Sequence, residues 1–112
     1  METVVENHGD VTVIRVRGSI DGLTAPTLEE VLSAHLGGTR SQLVGCLEDV
    51  DYTSSAGLRA LLAAMKQART HGGDLRLTAP QPAVLKVLEL SGFAGILKIF
   101  SSVDDAVRSF AS

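Results

Sequence analysis

Two adjacent serines, Ser54 and Ser55, lie in the run Tyr52-Thr53-Ser54-Ser55-Ala56-Gly57-Leu58, where their hydroxyls could do chemistry at the mouth of a helix. Leu43, Val44, Cys46, Leu47 and Val50 lead into the run as a strand, and Leu58, Leu61, Leu62 and Met65 leave it at helical spacing. The first N–H groups of such a helix have no partner inside it, and the helix dipole there favours negative charge. A serine at this point can cap the helix, lie exposed for a partner, or carry a phosphate. The residue types alone leave all three readings open, and a cap with no further role is the plainest. The carboxyl end of a buried strand is also where sheet-and-helix proteins place their sites. Asp21, in Gly18-Ser19-Ile20-Asp21, should leave a neighbouring strand near the same edge, either as a turn residue or as part of the site.

Other chemistry is sparse. His8, His35 and His71 fall on a loop, a helix and a helix end, with no pair one turn apart, so no metal site is expected. No G-x-x-x-x-G-K-[ST] phosphate loop occurs, and Gly37-Gly38 and Gly72-Gly73 read as helix stops. Ser55 is not set in G-x-S-x-G and has no evident base, which argues against a hydrolase and leaves no catalytic residue to name. The single cysteine, Cys46, sits in an apolar run and reads as a small core residue in a reducing compartment.

The elements that must position the serines follow from pattern. Val4 and Val5, then Val11, Val13, Ile14 and Val16, read as two strands around Asn7-His8-Gly9-Asp10. Thr24 is placed to cap a helix carrying Leu28, Val31, Leu32 and Leu36 on one face, closed by Gly37-Gly38. Leu43 to Leu47 form a short strand, and a second helix runs from about Ala56 to Thr70. Leu75 to Thr78 give a strand, Pro80 and Pro82 open a helix with Val84, Leu85, Val87 and Leu88 inward, and Ile96 to Phe100 form the last strand. A helix from near Ser102 turns Ala106, Val107 and Phe110 inward. The order β-β-α-β-α-β-α-β-α predicts an α/β domain over residues 1–112, with a mixed, mostly parallel sheet of about five strands and four helices.

Composition sets limits on partners. Apolar residues make up 45% of the 112 and charged residues 21%, enough for one core without staples. A net charge of −3 and scattered basic residues give no nucleic-acid footprint. No apolar run has the length of a membrane span, and Met1-Glu2-Thr3 shows neither the basic nor the apolar part expected of a signal peptide. The expectation is a cytoplasmic protein, monomeric when free, with no cofactor.

The chain resembles the STAS domain family, and within it the stand-alone anti-sigma factor antagonists of bacteria. The likeness rests on Gly18-Ser19-Ile20-Asp21 with Thr24-Ala25-Pro26-Thr27-Leu28, on Asp49-Val50-Asp51-Tyr52-Thr53-Ser54-Ser55-Ala56-Gly57-Leu58, and on Gly72-Gly73-Asp74-Leu75. Pro82-Ala83-Val84-Leu85-Lys86-Val87-Leu88 and Ser91-Gly92-Phe93 complete it. The resemblance implies that Ser55 is phosphorylated by an anti-sigma factor that is also a serine kinase, and restored by a phosphoserine phosphatase. It implies a partner-binding face from Asp21, Thr24, Thr53 and Ser54 through Ser55, Ala56, Gly57 and Arg59. Relatives often carry an acidic residue before the acceptor, where this chain has Ser54, and some carry a hydroxyl after it, where this chain has Ala56; Ser54 is therefore the second candidate acceptor. The alternatives are a STAS module serving another signalling or membrane-transport complex, or a small nucleotide-binding protein.

Overall fold

In the computed structural model, which describes residues 1–36 and 41–111, the chain begins with β1 (Glu2–His8) and returns as β2 (Val11–Ile20) through a tight turn. Gly9 takes a φ of +64° there, a conformation that glycine adopts at no steric cost. β2 then pairs in parallel with β3 (Gln42–Thr53), β3 with β4 (Asp74–Thr78), and β4 with β5 (Ile99–Phe100). The sheet order is β1-β2-β3-β4-β5, with only the β1–β2 pair antiparallel. Between the parallel strands run α1 (Ala25–Ala34), α2 (Ser55–Thr70) and α3 (Pro82–Leu90), and α4 (Val103–Ser109) closes the chain. Architecture and element order are those expected from the sequence.

Alternation along the strands sends side chains to two different cores. Ile14, Leu43, Leu75 and Leu77 face the helices α1 to α3, packing with Leu28, Leu32, Leu61, Met65, Val84 and Leu88. Each such buried aliphatic side chain contributes roughly 1.5–3 kcal/mol. Val11, Val13 and Val44 point to the opposite face, where α4 brings Ala106 and the partly buried Phe100, Val103, Val107 and Phe110.

Four sequence expectations are corrected or set aside. β3 does not stop at Leu47 but runs on to Thr53, with Val50 and Thr53 buried and Asp49, Asp51 and Tyr52 outward. The last strand is only Ile99–Phe100, because a 3-10 turn at Phe93–Gly95 takes up the chain before it. Val87 is exposed, since the narrow buried stripe of α3 is Val84 and Leu88. The Gly37-Gly38 helix stop lies outside the described residues.

Candidate functional site

The hydroxyl pair divides its work at the first turn of α2. Ser54 has extended backbone angles and is the N-cap, its Oγ accepting the Gly57 N–H at 3.3 Å. Its own N–H donates to the Ile20 carbonyl at 2.8 Å, tying the start of α2 to the end of β2. Ser55 is the first helical residue, is exposed, and its side chain has no hydrogen-bond partner among the described residues. The N–H groups of Ser55 and Ala56 belong to the first turn and have no acceptor within the helix.

A close approach fixes this geometry. A Cβ on Gly57 would come within 2.5 Å of Thr53 Oγ1 and 2.7 Å of Ile20 Cγ2, so only glycine lets α2 start this close to the sheet. Thr53 and Gly57 are both buried beneath the helix start.

Asp21 directly follows Ile20, the register partner of Thr53, which places the β2–α1 turn beside the first turn of α2. Asp21 Oδ1 accepts the N–H groups of Leu23 at 2.9 Å and Thr24 at 3.0 Å. Those bonds, from Thr24 and then Leu23, hold the carboxyl below the ordinary aspartate range. Thr24 is not the side-chain cap that the sequence suggested: its Oγ1 donates to the Ser19 carbonyl at 3.0 Å and accepts the Asp21 N–H at 2.9 Å. Asp21 organises the turn because its carboxylate reaches two donors ahead of it.

A shallow groove of about 320 Å³ lies between the starts of α1 and α2, lined by Gly22, Ala25, Pro26, Glu29, Ala56 and Arg59. Ala56 and Arg59 thus share a surface with the β2–α1 turn. Two apolar side chains stand out nearby in the chain: Leu23, 89% exposed in that turn, and Tyr52, 55% exposed at the end of β3. Neither belongs to a periodic apolar pattern; the one available signal was a large apolar residue in a Gly-containing turn.

This arrangement has little to offer catalysis. Asp21 is engaged with backbone, Asp51 accepts Ser19 Oγ at 2.7 Å, and His71 lies at the far end of α2. Among the described residues no group of three His, Cys, Asp or Glu could hold a metal ion, and no helix is long and apolar enough to cross a membrane. What the arrangement can do is present one free hydroxyl at a helix start, where an added anion is electrostatically tolerated.

A sequence model for the STAS domain matches residues 2–106. The chain is 32% identical to the Bordetella bronchiseptica protein BtrV, provisionally named an anti-sigma factor antagonist, over 98% of this chain and 95% of that one. It is 30% identical to the anti-sigma-B factor antagonist of Bacillus subtilis, over 94% of each chain. The crystal structure of an anti-sigma factor antagonist from Mycobacterium paratuberculosis superposes with a TM-score of 0.89 at 31% identity, covering 99% of this chain and 94% of that one.

Proposed function

The chain belongs to the STAS domain family, and we propose from that premise that it acts as an anti-sigma factor antagonist switched at Ser55. In its unmodified form it binds a kinase-type anti-sigma factor and frees the sigma factor that this partner holds. Phosphorylation of Ser55 breaks the complex, and a phosphatase restores it. The chain is then a binding module and kinase substrate acting in the cytoplasm, with Asp21, Thr24, Ser54, Ala56 and Arg59 around the contact.

The observation that carries this reading is the division of labour between the serines. Ser54 is engaged as a cap, while the Ser55 hydroxyl is exposed and without a partner among the described residues, and the next residue, Ala56, lines the α1–α2 groove. A phosphate adds about −1.5 to −2 charges, which the helix start stabilises in the free domain. In a closed contact the same group must be desolvated, which works against binding. No rearrangement of the fold is needed.

Incubation with ATP and kinase-type anti-sigma factors, followed by mass spectrometry, tests the reading. Phosphate should appear on Ser55 and be abolished by Ser55→Ala; transfer to Ser54 instead, or no transfer with any such kinase, contradicts it.

A further inference from the structure

On the face of the sheet opposite α2, a cleft of about 360 Å³ opens between the sheet and the start of α4. Its floor is a row of register partners on three adjacent strands: Arg15 on β2 faces Cys46 on β3, which faces Thr78 on β4. The walls come from Glu48 and from Ser101, Ser102 and Asp104. The proposed switch uses none of these residues.

Thr78 marks this cleft as more than a surface dent. Its side chain is fully buried, and its Oγ1 is the one buried side-chain polar atom without a hydrogen-bond partner among the described residues. An unmet buried hydroxyl is destabilising, and a bound group that pairs with it removes that penalty. The charged groups around it are also incompletely engaged. Arg15 gives its Nε to Glu6 at 2.9 Å and Nη1 to the Cys46 sulfur at 3.8 Å, a weak acceptor, leaving further N–H donors open. Among the described residues nothing pairs with the carboxylates of Glu48 and Asp104, and only the Glu48 main-chain carbonyl is engaged, by Gln81 Nε2.

The geometry points to a binding site for a small zwitterion of amino-acid size. A simple anion would meet two carboxylates, and a simple cation would meet the Arg15 guanidinium. A molecule with both signs can set its carboxylate toward Arg15 and its ammonium toward Glu48 and Asp104, with the Thr78 hydroxyl as a third contact. The volume is at the small end of ligand pockets. The site lies at the carboxyl ends of β4 and β5, where open sheets of this kind hold ligands.

The test is an amide chemical-shift titration of the whole chain with glycine, L-serine and L-glutamine, with acetate and ethylammonium as single-charge controls. Saturable shifts are expected at Arg15, Cys46, Glu48, Thr78 and residues 101–104, with neither control saturating in the same range. Thr78→Val and Glu48→Gln should each weaken saturation by about tenfold or more. Because Val matches Thr in shape, Thr78→Val should leave the Tm of the free chain unchanged or raise it. If none of the three amino acids saturates, or if binding survives both substitutions, the site does not exist. A lowered Tm in Thr78→Val together with no amino-acid response would show that the hydroxyl is satisfied by water and serves the fold alone.

Discussion

The two ends of α2 are held in opposite ways. At its C-terminal end Arg69 donates to Asp74 Oδ1 at 2.9 Å and to the Ile96 carbonyl at 3.0 Å, while Arg76 donates to Asp74 Oδ2 at 3.1 Å. The Asp74 side chain is 8% exposed and also accepts the N–H of Leu75, and Arg76 in turn stacks on the Phe110 ring at 4.0 Å. At the N-terminal end there is no ion pair among the described residues: one serine caps, one glycine permits close packing, and the next hydroxyl has no partner among them. Charge is committed where the helix must stay put. On the proposed switch, a phosphate on Ser55 would displace no ion pair among the described residues, and the carboxylate of the adjoining turn, Asp21, is already held by two backbone N–H groups.

The contrast can be broken most strongly at the anchored end. Asp74→Ala strands Arg76 without its carboxylate and should cost about 3 kcal/mol in denaturant unfolding, with partner affinity unchanged while the domain is folded. Next comes Gly57→Ala, whose methyl collides with Thr53 and Ile20; about 2 kcal/mol should be lost through overpacking. Ser54→Ala removes a cap and should cost about 1 kcal/mol, whereas Ser55→Ala should stay within about 0.5 kcal/mol. Equal losses from the two serines would erase the distinction between cap and acceptor.

The smallest effect concerns the Asp21 turn. Its folded pKa lies below the ordinary value of about 3.9, so the unfolded chain binds the proton more readily. The stability it contributes is present above that value and is lost as pH falls through the folded pKa. Glu6, through its bonds from Arg15 and His8, and Asp105, through Arg108 and Ser102, share that sign. The share of Asp21 is therefore read as the difference between wild type and Asp21→Asn in acid unfolding curves. The variant should show the shallower acid limb, and identical limbs would remove Asp21 as the organiser of this turn.

Much of this is legible in the sequence. The change from strand to helical spacing across Tyr52–Leu58 located the serines, and the run of alternating elements yielded the sheet. The division of labour was not legible, because adjacent serines have the same propensities and only the extended angles of Ser54 make it the cap. Polar Glu48 and Asp49 interrupt the apolar run of β3, so its extension to Thr53 was hidden, although Val50 and Thr53 continue to face inward. Thr24 looks like the cap because it precedes a helix containing an early proline, yet its hydroxyl is taken up by the Ser19 carbonyl and the Asp21 N–H. The Asp74 lock was hidden because Arg76 shares its strand but Arg69 lies on α2, which only the α2–β4 packing brings against it.

The most direct measurement of the central claim is the affinity of the cognate kinase-type anti-sigma factor for the unmodified chain and for the same chain carrying phosphate on Ser55, under identical salt. The account expects phosphorylation to weaken binding by more than about a hundredfold, a difference of ~3 kcal/mol, with both forms equally folded. Equal affinities in two folded forms would contradict it.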